Sequence, residues 1–541
     1  MCVIDTVCLK KRRQVKMKKR ILALILSVLT IMSFTACKKA DNTDKPEIGT
    51  QHDANDGIKT IQIITGEGYK EEYDEDSYDT IIKVAYPVVM LYYGDENNYS
   101  GLSKALEDNN KSEKEYLLNF LNENKDYATE CYLEGNEYFS PFESSVTSYV
   151  RRADTQVTSI LYFGYEYTGG VHGNYYYHGK NYDTKSGKEL ILSDVINDKD
   201  KLAKAVSEQL DKHWSDIEFN ESFDIAEIIN DETAISWTLD YNGITIYFMP
   251  YSIASYASGA QIVTVSNEEY PDVLKAEYKK LPSSYGIELA KDAPFYYDIN
   301  GDGKVDEIIF SAYESDYEGN PGEASFYING DSSYSKEAYF YTADAAFVHT
   351  KDGKNYIYLE LLQENDYRMT YCYDLSDGIS KIDSIDGGLR RIYHESDDDV
   401  IDHVVTQDAL TNPDSFYLYS MTQRLSTATG CKEYYVGNNG VPVSDDKIFT
   451  FDEEHILTFT MLQDFEADVY DEKADKVTEK KTLKSGEKVY YVGTDNEKYA
   501  YLKAADGTLV RVEVILDKES WKHTINGIDT EEIFDGLFYA G

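Results

Sequence analysis

From residue 60 onward, short apolar runs alternate with polar turns, and the spacing within each run predicts its element. The run Thr60-Ile61-Gln62-Ile63-Ile64 and the stretch 80–91 have the β-branched enrichment of strands. Between residues 99 and 127 the period changes: Leu102, Leu106, Tyr116, Leu117, Phe120 and Leu121 recur near helical spacing amid charge, which predicts a helix. Strands are expected again at 144–151 and 155–167. A second helix is expected over 199–214, with Leu202, Ala205, Val206, Leu210 and His213 on one stripe. His213, at the stripe's edge, is read as a packing residue and not a ligand. Alternating residues at 235–241 and 244–248 bracket Asn242-Gly243, the strongest short-range hairpin signal in the chain. Strands plus two helices predict an α+β module over 60–275, an antiparallel sheet with two helices.

A charged, helix-like stretch and Pro282-Ser283-Ser284-Tyr285-Gly286 interrupt this pattern between 271 and 293. From 286 to 465 short strand candidates, among them 338–341, 356–362 and 369–373, alternate with Asp, Gly and Ser turns, which predicts an all-β domain. The final segment, 466–541, holds strand candidates at 469–470, 488–492, 499–503 and 509–514, enough for a small barrel. Gly486-Glu487-Lys488-Val489-Tyr490, Tyr501-Leu502-Lys503 and Gly507-Thr508-Leu509-Val510 resemble a bacterial SH3-like domain.

The N-terminus has a different character. A basic cluster at 10–20 precedes an apolar run at 21–34 that is short for a membrane span, the layout of a signal peptide over 1–36. Met17-Lys18-Lys19-Arg20 already makes a sufficient basic region, so Met17 is the expected start and 1–16 an upstream mis-start. Ser33-Phe34-Thr35-Ala36-Cys37-Lys38-Lys39 resembles a bacterial lipobox, although Phe34 stands where an aliphatic residue is usual. The resemblance implies cleavage before Cys37 and diacylglycerol on its sulfur. The polar stretch 37–59 buries too little to fold and is expected to be a tether. The expected location is therefore the outer face of the cell membrane, held there by lipid.

Charge reinforces that reading. The 541 residues include 53 Lys and Arg against 98 Asp and Glu, a net charge of −45, which would repel nucleic acid. Residues 1–36 carry eight Lys/Arg and one Asp, so their removal takes the net charge to −52. Such a field attracts cationic proteins and divalent cations. Beyond Cys37 only Cys131, Cys372 and Cys431 remain; they match no zinc spacing and are expected to be small buried apolar residues.

Three glycines in five residues, at Gly169-Gly170-Val171-His172-Gly173, need a backbone reason and predict a tight bend feeding the aromatic strand Asn174-Tyr175-Tyr176-Tyr177. Ser186-Gly187 marks the next turn. Further on come Ile244-Thr245-Ile246-Tyr247-Phe248-Met249-Pro250-Tyr251, Tyr256-Ala257-Ser258-Gly259 and Ile262-Val263-Thr264-Val265. Together these resemble the extracellular module of RsiV-type anti-sigma factors, which sense lysozyme, and the module ahead of the catalytic domain in PdaC-type peptidoglycan deacetylases. The resemblance covers about residues 60–275. It implies an α+β module and, through the anti-sigma relatives, direct binding of lysozyme. It does not imply anti-sigma activity, because everything before Cys37 reads as signal peptide. The deacetylase chemistry needs an acid-rich strand motif and a later His-x-x-x-His pair. Thr450-Phe451-Asp452-Glu453-Glu454-His455 has the look of the first, but only His523 follows it, so deacetylation is not expected.

The remaining candidate chemistry is sparse. Asp298, Asn300 and Asp302 place oxygen donors at alternate positions, glycines allow a sharp turn, and Asp306 closes the ring, an arrangement suited to Ca²⁺. The twelfth position is Ile309, so a strand-loop-strand site is expected, like the calcium loops of integrin-type repeats, with a stabilising ion. His394, Glu395, Asp397, Asp398, Asp399, Asp402 and His403 match no familiar metal spacing and read as a solvated acidic turn. His172, Tyr175, Tyr176 and Tyr177 form a possible binding face; His172 and His178 have no carboxylate partner that sequence can name. Neither G-x-S-x-G, H-E-x-x-H nor a P-loop occurs. The expected function is a non-catalytic, lipid-anchored envelope protein that binds an extracellular protein, lysozyme being the sharpest candidate, or a cell-wall glycan. A structural wall-binding accessory and a cryptic wall-active enzyme are the alternatives.

Overall fold

The computed structural model describes residues 57–540, apart from 93, 135–138, 221–222, 233–234, 317–318, 390, 396–402, 453–454, 518–519 and 521. The expected signal peptide, Cys37 and most of the expected tether therefore lie outside the described residues.

A seven-stranded sheet organises the N-terminal part. It uses β1 (Ile63–Tyr73), β2 (Thr80–Leu91), β3 (Phe142–Ala153), β4 (Val157–Tyr167) and β5 (Asn174–Asp183). Between β2 and β3 runs α1 (Ser100–Leu133), whose buried Leu102, Leu106, Leu117, Leu121 and Ala128 pack on Ile82, Val84, Val89, Phe142 and Val146. Each leucine taken out of water contributes about 1.5–3 kcal/mol. Asn110 of α1 also brackets the backbone of Val89, accepting from its N–H at 3.0 Å and donating to its carbonyl at 2.9 Å. The 34 residues of α1 carry the chain back to the end of the sheet where β2 began, so β2 and β3 pair in parallel, Ile82 beside Phe142. This corrects the expectation of a wholly antiparallel sheet.

A second core forms where α2 (Lys199–His213) covers the three-stranded sheet β6 (Ser236–Leu239), β7 (Gly243–Phe248) and β8 (Gln261–Ser266). Asp198 caps α2, accepting from the N–H groups of Asp200 and Lys201. Helical turns at Leu192–Val195 and Ile225–Asn230 complete the layer. Two buried arginines stitch these layers together. Arg151 makes a two-pronged contact with Asp240, and Arg152 holds Asp154 at 2.7 Å while donating to the carbonyls of Tyr278 and Lys280.

Beyond residue 284 the described structure is almost entirely β. One sheet of four strands contains β10 (Pro294–Tyr297), β11 (Asp306–Tyr313), β12 (Gly322–Ile328) and β13 (Asp331–Ala338). Facing it across a shared core is a five-stranded sheet made of β9 (Tyr285–Glu288), β14 (Thr342–His349), β15 (Asn355–Leu362), β16 (Arg368–Asp374) and β17 (Ser380–Asp386). Of residues 338–341, expected as a strand, Ala338 ends β13 and 339–341 connect it to β14. The chain then re-enters the N-terminal sheet: β18 (Arg391–Glu395) pairs with β19 (His403–Asp408), and β19 pairs with β1 in the register Ile64 to Asp408. Backbones approach closely there, since a Cβ on Gly66 would lie 2.2 Å from the Val405 carbonyl oxygen.

The C-terminal strands, including Phe465–Asp471, Lys488–Thr494, Tyr499–Ala504 and Leu509–Glu513, belong to one eleven-stranded sheet that also takes in Phe416–Thr422 and Ala428–Val436. No closed barrel is present among the described residues. The SH3-like barrel expected for 466–541 is thus not seen as such; its strands pair outward with earlier ones through Phe449–Thr450. Cys372 and Cys431 are buried, whereas Cys131, also expected to be buried, is only part-buried; none of the three forms a disulfide, and burial pushes the Cys372 thiol up to about 12.

Candidate functional site

The glycine-rich bend takes the shape its composition demands. Gly169 and Gly170 have φ of +91° and +107°, conformations that a side chain would strain. Val171 at its tip is 100% exposed. β5 starts immediately afterwards, and strand alternation sends its aromatic residues to opposite sides. Tyr177 is buried, its ring 5.7 Å from Tyr247 and 5.1 Å from Phe163. Tyr176 instead stacks on His178 at 6.0 Å, and His178 stacks on Tyr162 at 4.8 Å with Nε2 3.4 Å from Glu113 of α1. The structure therefore divides the four predicted binding-face residues: His172, Tyr175 and Tyr177 lie on one side, and Tyr176 packs on the other. It also supplies the carboxylate neighbour of His178 that local spacing could not name.

Around His172 and Tyr175 an aromatic ledge reaches solvent. The His172 ring stacks on Tyr256 at 4.0 Å, and Tyr251, 62% exposed, lies 5.3 Å from Tyr256. The Gly173 carbonyl pins the ledge: Tyr256 Oη donates to it at 2.5 Å, and His172 Nδ1 lies 3.0 Å from it. Tyr175 Oη accepts from the Ala260 N–H at 3.0 Å. Behind the ledge is a groove of about 350 Å³ lined by Tyr175, Tyr177, His213, Trp214, Asp292 and Glu307. Its volume is within the range of small-ligand sites. His213 Nε2 is buried without a hydrogen-bond partner, and burial holds the imidazole below its ordinary pKa, so it faces the groove as a neutral ring. The expected stripe-edge packing is also present, the ring lying 4.6 Å from Tyr296. A tyrosine-lined recess with a neutral imidazole and two carboxylates can accept the hydroxyls of a glycan or a basic side chain of a protein.

The calcium-type loop folds around its own backbone. Asp298 accepts from the N–H groups of Gly301, Asp302 and Gly303, Asn300 from Asp302, and Asp302 from Lys304. Gly301 and Gly303 take φ of +77° and +82°, which lets these turns close. Asp306 accepts from Asn329 Nδ2 at 2.8 Å and from the Ile299 N–H at 3.4 Å. The donor set is all oxygen, as Ca²⁺ requires. Among the described residues, no three His, Cys, Asp or Glu side chains converge as a metal-binding group.

Asp452 meets Tyr419 Oη at 3.1 Å, whereas buried His523 contacts the Gln423 carbonyl through Nε2 and stacks on Tyr539. Glu453 and Glu454 lie outside the described residues, as do 396–402 of the acidic turn. Sequence reasoning missed a further recess, a cleft of about 540 Å³ whose lining includes Thr65, Glu67, Ser148, Glu288, Asp344 and Gln407. These positions are scattered over more than 340 residues of chain, so no local motif marks them.

Two family models match this part of the chain. The one described as Deacetylase PdaC covers residues 71–175, from β1 into β5, and the one described as a protein of unknown function, DUF3298, covers 188–268. These two stretches are similar to those families over the residues matched. The aromatic ledge draws His172 and Tyr175 from the first matched stretch and Tyr251 and Tyr256 from the second. Among solved structures, a DUF3298 family member from Bacteroides fragilis is 19% identical, with 41% of this chain and 96% of that one covered and a TM-score of 0.29. A DUF3298 family protein from Pseudomonas aeruginosa is 14% identical, with 42% and 97% covered and a TM-score of 0.26. No curated protein matches the chain.

Proposed function

We propose that this protein is a non-catalytic binding protein of the cell envelope, held by a lipid on Cys37, whose PdaC-like and DUF3298 domains present the aromatic ledge to an extracellular protein. The observation that carries the reading is the ledge itself: Val171 fully exposed and Tyr251 largely so, beside the His172–Tyr256 stack. Aromatic side chains with polar tips suit a wet recognition surface. The net charge of −45 favours a basic partner and accelerates its approach. Lysozyme, the ligand implied by the anti-sigma resemblance, fits that description. Calorimetric titration with lysozyme in moderate salt should give saturable heat that weakens as salt rises, and Tyr256→Ala together with Val171→Ser should abolish it. Heat no greater than dilution would end this reading. A cell-wall glycan in the groove behind the ledge is the second reading, supported by the unpartnered Nε2 of His213; sedimentation with purified peptidoglycan separates the two.

A further inference from the structure

The 540 Å³ cleft is built from elements that never meet in sequence. β1, β3 and β19 form one wall, through Thr65, Glu67, Thr147, Ser148 and Gln407, and β9 and β14 form the other, through Glu288, Thr342 and Asp344. The register places Glu288 opposite Ala346 and Asp344 opposite Glu360. Glu288 and Asp344 are therefore diagonal neighbours on one sheet face, about 7–8 Å apart at the backbone.

We propose that this cleft binds a glycan unit bearing a free amino group. Three observations converge on that chemistry. The Thr342 Oγ1, on the same strand face as Asp344, is buried and has no hydrogen-bond partner. A buried hydroxyl left unsatisfied costs about 1–3 kcal/mol, a cost that a ligand hydroxyl in the cleft removes. Carboxylates of Glu67, Asp344 and Glu314 line the cleft beside the desolvated Glu288, whereas Lys291 is its one lysine and lies 3.8 Å from Glu314. That balance favours a cationic ligand and disfavours a phosphorylated or uronic polymer. Tyr69, 43% exposed in the same lining, supplies an aromatic surface of the kind on which a sugar ring rests. A polyhydroxylated ligand with an ammonium group answers all three; a simple amine answers only the second. The cleft shares no lining residue with the groove behind the ledge, so this site does not depend on the proposed protein partner.

The test is calorimetry on the full chain at neutral pH, in chelator, with a β-1,4-linked glucosamine tetramer and with its fully N-acetylated counterpart. The amino form should bind about tenfold or more tightly than the acetylated one, the size of one charge-assisted hydrogen bond. Thr342→Trp, on the same strand face as Asp344, fills the cleft and should abolish binding, and Asp344→Asn, which keeps its shape, should weaken it by a similar factor. Tyr256→Ala on the ledge should leave it unchanged. Should Thr342→Trp fail to fold, Asp344→Asn and Tyr69→Ala carry the test. Absence of binding, equal affinity for the two oligomers, or affinity untouched by the cleft variants overturns the proposal.

Discussion

Replacing Glu288 by Gln probes the least comfortable carboxylate in the described structure. Burial, resisted by the Val150 N–H at 2.6 Å, reinforced by the Asp344 carboxylate and resisted again by Thr65, pushes Glu288 up to about 7 from the ordinary 4.5. Between those two values the folded protein holds a proton that the unfolded chain has released, so stability falls as pH rises through this window and levels off above about 7. A rise of roughly two and a half pH units corresponds to about 3 kcal/mol. Gln keeps an oxygen for the Val150 N–H and cannot ionise. Its expected signature is a stability close to wild type near about pH 5 and greater by up to about 3 kcal/mol near pH 8. Urea unfolding at a series of pH values, followed by the fluorescence of Trp214 and Trp237, both packed in the core that α2 forms with β6–β8, reads this difference directly. In Asp344→Asn the same fall should shrink, because the neighbouring negative charge has gone. Parallel curves for wild type and Glu288→Gln from pH 5 to 8 would refute the reasoning.

Other consequences are simpler to state. Arg152→Met should cost about 3–5 kcal/mol in the same unfolding assay, because it strands the buried Asp154 and two carbonyls. Gly286→Ala should lower the melting temperature by an amount equivalent to roughly 1–3 kcal/mol, since its Cβ would lie 1.7 Å from the Leu410 carbonyl oxygen. For the loop at Asp298, Ca²⁺ at about a hundred times its dissociation constant should raise stability by about 2.7 kcal/mol, an excess of EDTA should reverse it, and Asp298→Ala should remove the response. The readout is the calcium-dependent shift, because Asp298→Ala also loses three backbone hydrogen bonds and is less stable from the outset.

What could be read in advance, and what could not, divides along the range of the interactions. The helical spacing of Leu102, Leu106, Leu117 and Leu121 and the Asn242-Gly243 hairpin are local signals, and the structure carries α1 over Ser100–Leu133 and the turn between β6 and β7. The glycine run before Tyr175 is equally local, and its positive φ angles follow from composition. The side on which Tyr176 packs is set by strand phase, which a run of consecutive tyrosines conceals because every position is aromatic. Nothing local announces that 403–408 will leave the β-rich segment to extend β1. The nearest cue is Gly66 within a strand otherwise rich in larger residues, a gap that the backbone at Val405 fills. The cleft is legible only after that crossover, because β19 brings Gln407 to the wall shared with Thr65 and Ser148, facing Glu288. Glu288 itself interrupts the apolar run Tyr285-Gly286-Ile287-Glu288-Leu289-Ala290, and an acid in such a run is costly to bury without purpose. A chain that held Glu288 only for its bonds to Val150 and Thr65 could do so with Gln. The carboxylate earns a functional explanation because Thr342, on the same cleft wall, also presents a polar group that the fold leaves unmatched.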